Sequence, residues 1–275
     1  AVGLFSILNI ILSIILVSKF NLNIKGVAYG TLISALSIST IFLTYTFWYL
    51  NKMSKITIDV SKLIDLNKLK KIFDINLNIF IRTTLLTFSF LWFTYLGSQI
   101  GEDYIAANAI LINLVFLSAF ILDAYAFSTE GMVGYSLGKR DIGLFKKIVR
   151  NSFILSALTG LIISIIYFFI NEYVIELMSD IETIRNLSSS YVVWLIIMPL
   201  ISSFCYQFDG IFIGASQTKE LRNAMIVSVS IYILCALFLV SSFGNSGLWI
   251  SLCIFFALRA LTLFFYLSKI YQRIA

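Results

Sequence analysis

The stretch AANAILINLVFLSAFILDAYAF, residues 106–127, decides the fold class of this chain. It contains a single charged side chain, Asp123. One crossing of a bilayer needs about 20 predominantly apolar residues, whereas buried helices of soluble proteins usually have shorter apolar runs. The stretch therefore predicts a helix that crosses a membrane.

Composition extends this interpretation to the whole chain. Of the 275 residues, 60% are apolar and 12% are charged, whereas about a quarter of the residues of a soluble domain are charged. Too few polar groups are present to cover a soluble surface. We therefore predict an all-α integral membrane protein, a polytopic helical bundle whose apolar runs give eight spans. These spans lie near residues 1–18, 27–50, 77–97, 105–129, 152–170, 189–213, 224–241 and 248–267.

The chain contains no histidine, which excludes His-based metal sites and catalytic triads that use histidine. Its three cysteines, at positions 205, 235 and 253, all lie in apolar stretches. Cysteines in such surroundings are usually small buried side chains rather than metal ligands or disulfides. We therefore expect no catalytic residue, no metal site and no cofactor, and we do not interpret the chain as an enzyme.

The distribution of basic residues predicts the orientation in the membrane. Of 20 Lys and Arg residues, fifteen lie in one set of alternate loops and three lie in the opposite, acidic set. Lys and Arg concentrate in cytoplasmic loops of membrane proteins. We expect the C-terminus in the cytoplasm, a multi-pass protein of the plasma (inner) membrane, and no nucleic-acid partner for the net charge of +6. The basic segments are 51–76, 135–151, 214–223 and the tail after residue 267.

An internal repeat connects the first and last pairs of spans. The pattern Leu-Val-Ser-x-Phe occurs at residues 16–20 and again at 239–243, and Gly26 corresponds to Gly247. Six crossings separate the two copies, so both have the same orientation. Parallel repeats of this kind build the two halves of many secondary transporters.

This repeat suggests a domain organisation. Residues 77–275 form a complete six-helix C-terminal lobe, and residues 1–50 form the last two helices of an N-terminal lobe. Residues 51–76 form a linker, interpreted either as an amphipathic helix on the cytoplasmic surface or as a solvated connector. The parent protein is then expected to have twelve spans, with four further helices of the same protein before Ala1.

Five charged residues lie within the predicted spans, where charge is costly and commonly functional. One interpretation is a buried ion-pair network in which two arginines neutralise two of the three acids, Glu130 and Asp209. The third acid, Asp123, then has no fixed cation and can bind and release a proton or another coupling cation; Asp209 and Glu130 are the other two candidates for this coupling role. Glu130 can instead lie at the membrane surface, because the stretch 104–138 exceeds one crossing. The five residues are Arg82, Asp123, Glu130, Asp209 and Arg259.

Four polar residues within the spans have two possible roles. They can line a cavity for a substrate, or they can form hydrogen bonds between helices, which is the commoner role in membranes. The residues are Asn108, Asn113, Tyr206 and Gln207.

Three stretches together resemble a known family. They are AANAILINLVFLSAFILDAYAFSTEGMVGYSLGKRD (106–141), FDGIFIGASQTKELRNAM (208–225) and GNSGLWISLCIFFALRALTL (244–263). The chain resembles the multidrug and toxic compound extrusion (MATE) transporters, in the branch named after DNA-damage-inducible protein F. The resemblance covers the whole chain and aligns it with the last eight spans of a twelve-helix, two-lobe fold.

The resemblance implies a secondary active transporter rather than an enzyme. Such proteins exchange H⁺ or Na⁺ for small organic, often cationic, compounds by alternating access between two lobes. Asp209 matches the acid of the tenth family span, and the other four intramembrane charges match positions characteristic of this branch. Two positions depart from the family: residues 77–97 contain no glutamate, and Ser13 occupies a position that is commonly aspartate.

Two other functions remain open at this point. A flippase for lipid-linked precursors has similar lobes, but more cations are expected in the cleft of a protein that moves a pyrophosphate. A membrane-embedded transferase needs an acidic metal motif or a catalytic loop, and these short loops contain neither histidine nor Asp-x-Asp.

Overall fold

The computed structural model describes residues 2–53 and 65–274, and every regular element in these two ranges is an α-helix. The predicted all-helical bundle is therefore confirmed. The helices are α1 (Val2–Ser18), α2 (Asn23–Met53), α3 (Leu66–Ile100), α4 (Glu102–Gly138), α5 (Ile142–Met178), α6 (Glu182–Ser190), α7 (Val192–Gly214) and α8 (Thr218–Ile274).

Six of the described helices, α2, α3, α4, α5, α7 and α8, are long and apolar enough to cross a membrane. Helix α1, with 17 residues, is a shorter apolar helix. The seventh and eighth predicted spans both lie in α8, which is interrupted at Gly244 by a backbone conformation of φ 54° and ψ −131°. Glycine adopts this left-handed region without the steric cost that a Cβ imposes. One residue therefore separates the two segments of α8, 218–243 and 245–274.

The chain divides into two compact units, Ala1–Leu66 and Asn67–Ala275. Helices enter the predicted linker 51–76 from both sides, since α2 continues to Met53 and α3 already begins at Leu66. Residues 54–64, which include much of the predicted amphipathic segment, lie outside the described residues. The domain boundaries proposed from the sequence stay predictions.

The sequence repeat is also a repeat of local packing. In the first unit, a Cβ added at Gly26 would lie 3.1 Å from the carbonyl carbon of Leu16. In the second unit, a Cβ added at Gly247 would overlap the carbonyl oxygen of Leu239. Leu16 and Leu239 are the first residues of the two copies of the repeat. In both units a glycine therefore allows the backbone to pack closely against the first residue of the repeated motif.

Close contact between α4 and α7 depends on two glycines one helical turn apart. A Cβ at Gly210 would overlap the carbonyl oxygen of Ala126, and a Cβ at Gly214 would overlap that of Glu130. Small residues four positions apart allow membrane helices to approach at backbone distance. This contact brings the middle of α4, including Asp123, close to the end of α7 that contains Asp209.

The core of the second unit consists of two apolar clusters. The first includes Met198 and Cys205 of α7, and the second includes Phe208 and Ile211 of the same helix. Ala260 of α8 packs against both clusters. The junction between the clusters therefore lies near residues 205–208 of α7 and near residue 260 of α8, and this is the level at which the buried charges lie.

We predict that Gly210→Ala destabilises the second unit, because the new methyl group meets the backbone of α4 rather than a mobile side chain. Overpacking of this kind costs about 1–3 kcal/mol. The matched control is Gly131→Ala on α4, where nothing lies within 4 Å of an added Cβ and alanine favours the helix by up to about 1 kcal/mol. Thermal unfolding in detergent, followed by tryptophan fluorescence, should show a lower midpoint for Gly210→Ala only. Equal midpoints for the two variants would disprove the close packing.

Candidate functional site

A buried ion-pair cluster joins three helices of the second unit. Asp209 on α7 accepts hydrogen bonds through one carboxylate oxygen from Nη2 of Arg82 on α3 and from Nη2 of Arg259 on α8. The bond to Arg259 is 2.7 Å long. The Asp209 side chain is 7% exposed and that of Arg259 is 2% exposed. Because one carboxylate serves two guanidinium groups, these three residues carry a net charge of +1.

Aromatic rings surround the more deeply buried arginine. The guanidinium carbon of Arg259 lies 5.4 Å from the ring centre of Phe255 and 5.6 Å from that of Phe256. Cations are attracted to the faces of aromatic rings at such distances. Arg259 shares the carboxylate of Asp209 with Arg82, so its charge is only partly neutralised. The two rings therefore add to the stabilisation of this cation.

Asp123 lies on α4 beside this cluster and is half-buried. The charges of Asp209, Arg82 and Arg259 all act on it. Among the described residues it forms no ion pair within 4 Å. When Asp123 is ionised, the four side chains together are neutral, and when it is protonated they carry a charge of +1.

Glu130 does not belong to this cluster. The structure assigns both arginines to Asp209, so the predicted pairing of an arginine with Glu130 is absent from the described part of the chain. Its backbone contacts Gly214, near the end of α7, and its side chain is half-buried. Glu130 is seven residues, or about 10 Å of helix rise, from Asp123, so it lies well beyond the level of the arginines.

Gln207 lies in the same buried layer and connects α7 to α4. Its Oε1 accepts a hydrogen bond of 3.0 Å from Oγ1 of Thr129. Its Nε2, like Nε of Arg82 and Nη1 of Arg259, is buried without a hydrogen-bond partner among the described residues. Three donors in one layer therefore have unused capacity. Sequence reasoning missed Thr129, because a lone threonine in an apolar span carries no distinguishing signal.

Tyr206, the other predicted cavity residue of α7, packs against aromatic side chains. Its ring centre lies 6.2 Å from that of Phe256, one of the rings that surround Arg259. It therefore lies close to the buried charges without belonging to the ion-pair cluster.

Asn108 mainly connects helices, which is the commoner of its two predicted roles. Its amide exchanges hydrogen bonds of 2.7 and 3.1 Å with Asn245, and its Oδ1 also accepts one of 2.9 Å from Nε1 of Trp249. This network joins α4 to α8 immediately after the break at Gly244. Asn108 and the exposed Asn113 also line a cavity of about 160 Å³ between α3 and α4.

A second polar connection, missed by sequence reasoning, lies on the basic side of the unit. Nη1 of Arg222 donates a hydrogen bond of 2.8 Å to Oδ1 of Asn78, and Nδ2 of Asn78 donates one of 3.4 Å to Thr218. These bonds join the first half of α3 to the start of α8. Among the described residues, no group of three or more Cys, Asp or Glu side chains has the arrangement of a metal site.

The chain is similar in sequence to a family of known proteins. The sequence model of the MatE family matches residues 79–240. The chain is 33% identical to DNA damage-inducible protein F of Escherichia coli K12 over 258 residues, which is 94% of this chain and 56% of that protein. It is 25% identical to the multidrug export protein MepA of Staphylococcus aureus RF122 over 259 residues, 92% of this chain and 56% of MepA.

A solved structure shares the fold. The Vibrio cholerae MATE transporter VcmN in its bent form superposes with a TM-score of 0.84 at 18% identity, over 98% of this chain and 61% of VcmN. The chain thus spans little more than half the length of the curated relatives that it matches.

Proposed function

Because the chain belongs to the MatE family, whose members are transporters rather than enzymes, we propose that its protein exports small organic compounds in exchange for a coupling cation. The apolar helices and the family together make it an integral, multi-pass membrane protein. Export of drug-like organic compounds is supported by the relative MepA, which is named as a multidrug export protein; that these compounds are often cationic is part of the proposal.

Asp123 is the proposed coupling residue, and one observation carries this assignment. It is the carboxylate that lies beside Asp209, Arg82 and Arg259 and forms no ion pair in the described ranges. Both arginines already donate hydrogen bonds to Asp209 and not to Asp123. Loss or gain of one proton at Asp123 changes the net charge of a largely buried layer, where charge is poorly screened.

The unused donors of the two arginines give this charge change a structural consequence. An ionised carboxylate accepts hydrogen bonds from buried N–H groups such as Nε of Arg82 and Nη1 of Arg259, whereas a protonated one accepts fewer and also donates. Protonation therefore favours a different arrangement of α4 relative to α3 and α8. In a transporter, two such arrangements correspond to the alternating access of the two lobes.

A proton fits this site better than Na⁺. Two guanidinium groups lie close to Asp123 and repel a further metal cation, whereas a proton binds covalently to a carboxylate oxygen. Na⁺ sites in proteins need several oxygen ligands, and Oδ2 of Asp209 already accepts hydrogen bonds from both arginines. The proposed coupling ion is therefore H⁺, with Na⁺ coupling as the alternative that the transport assay distinguishes.

We propose that the protein lies in the plasma (inner) membrane, with its basic loops and its C-terminus in the cytoplasm. In a variant whose three cysteines are replaced by alanine, single cysteines at the exposed positions Ser98 and Ser242 should react with an impermeant maleimide in intact cells. A cysteine at the exposed position Ser216 should react only after the cells are permeabilised. The reverse labelling pattern would contradict this orientation.

The coupling role predicts that Asp123→Asn uncouples transport from the pH gradient. The change keeps the size and hydrogen-bonding capacity of the side chain while removing its titration. The assay uses proteoliposomes that contain the full-length natural protein. In the wild type, an inward proton gradient should drive the export of ethidium. The variant should bind ethidium but lose this dependence, because the layer no longer changes charge.

Asp103→Asn is the matched control, since Asp103 is an exposed acid in the first turn of the same helix. It should leave proton-driven export unchanged. Unchanged proton-driven export in Asp123→Asn would refute the coupling role, and export driven only by a Na⁺ gradient would refute proton coupling. If neither gradient drives export in the wild type, the antiport function itself is wrong.

A further inference from the structure

A groove between α4 and α5 combines a basic end with an apolar wall. On α4 it is lined by Tyr125, Ser128 and Met132, which share one face of the helix, and on α5 by Lys147, Asn151 and Leu155. Its volume is about 230 Å³. The residues on α5 recur every four positions, so the groove follows the helix axis for about 12 Å.

A cluster of cations lies at one end of this groove. Lys146, Lys147 and Arg150 line an adjoining cavity of about 310 Å³, and Lys147 lines both cavities. All three side chains are exposed, and in the described ranges none of them forms an ion pair. The nearby acid, Asp141, accepts a hydrogen bond of 2.8 Å from the backbone N–H of Leu144 and so caps α5.

At its other end the groove continues into an apolar surface. Leu155, Leu158 and Ile162 follow one another on the same side of α5, and each is about half exposed. In a helix that crosses a membrane, such side chains face lipid acyl chains. The surface thus changes from cationic to apolar along one helix, at the level where a lipid headgroup meets its acyl chains.

We propose that the α4–α5 groove binds an anionic glycerophospholipid. The phosphate and any further anionic headgroup oxygens bind Lys147 and Arg150, and one acyl chain lies against Tyr125 and Leu155. Basic pockets between transmembrane helices on the positively charged side of a membrane protein are suited to such headgroups. Ser128 and Asn151 provide hydroxyl and amide groups at intermediate depth, where the glycerol ester oxygens of the lipid lie.

Charge complementarity supports a lipid rather than a second protein segment as the occupant. The segment 139–150 contains five basic residues and one acid, and a groove of about 230 Å³ is too small to hold a helix. A phospholipid has the required combination of an anionic end and a thin apolar chain. The proposal does not rest on the proposed transport function, because in the described part of the chain none of the groove's cations pairs with Asp209 or Asp123.

The test is native mass spectrometry of the purified protein titrated with palmitoyl-oleoyl phosphatidylglycerol, with the corresponding phosphatidylcholine as the uncharged reference. The wild type should bind phosphatidylglycerol more tightly. The variant Lys147→Gln/Arg150→Gln should weaken this binding by roughly fivefold for each cation, about 25-fold in total. The matched control Lys70→Gln/Lys71→Gln, which removes two exposed cations from α3, should leave tight binding intact.

A second variant tests the acyl part of the groove. Ser128→Phe fills the groove without changing charge and should weaken phosphatidylglycerol binding, whereas 10 mM inorganic phosphate should not displace the lipid. Equal binding of the two lipids would overturn the proposal, and so would equal losses in the two double variants. Displacement of the lipid by phosphate, together with normal lipid binding by Ser128→Phe, would overturn it as well. Unfolding midpoints of all variants distinguish lost binding from lost structure.

Discussion

The pairing of one carboxylate with two arginines is the constraint on which the second unit depends. Asp209 is the group that makes the buried guanidinium group of Arg259 and the partly buried one of Arg82 tolerable at the junction of two apolar clusters. It thereby joins α3, α7 and α8 at one level. Removing charged groups from water costs several kcal/mol for each ion, and only close partners offset this cost. The helices that carry these residues therefore have little freedom to slide past one another.

This constraint also gives Asp123 its significance. Because Asp209 cannot fully neutralise both arginines, the layer has room for one further negative charge, and Asp123 is placed to supply it. The glycines at 210 and 214 make this placement possible by allowing α4 to contact the backbone of α7. Packing by small residues and the imbalance of charge thus act together. The glycine packing brings Asp123 close to the other three charged residues, and the charge imbalance makes the net charge of the layer depend on the protonation of Asp123.

The sequence predicted the spans and the inventory of intramembrane charges, because long apolar runs and isolated charges are both read directly from residue type. It did not predict which charges meet. Asp123 and Glu130 are seven residues apart on one face of α4, yet only Asp123 lies beside the arginines, since the crossing of α4 and α7 decides which turn faces the cluster. Thr129 and Trp249 were missed for the same reason. Their hydrogen bonds depend on helix contacts that no local pattern encodes.

The most direct test of the account is a comparison of unfolding midpoints for Asp209→Asn, Arg82→Gln, Arg259→Gln and the double variant Asp209→Asn/Arg259→Gln. Asp209→Asn leaves the buried Arg259 and the partly buried Arg82 without a carboxylate partner and should be the most destabilising single change, by about 3–5 kcal/mol. Each arginine variant leaves Asp209 with one partner and should cost less. The double variant should recover part of the stability lost in Asp209→Asn. If Asp209→Asn is no worse than either arginine variant, or if the losses in the double variant simply add, Asp209 does not neutralise both arginines.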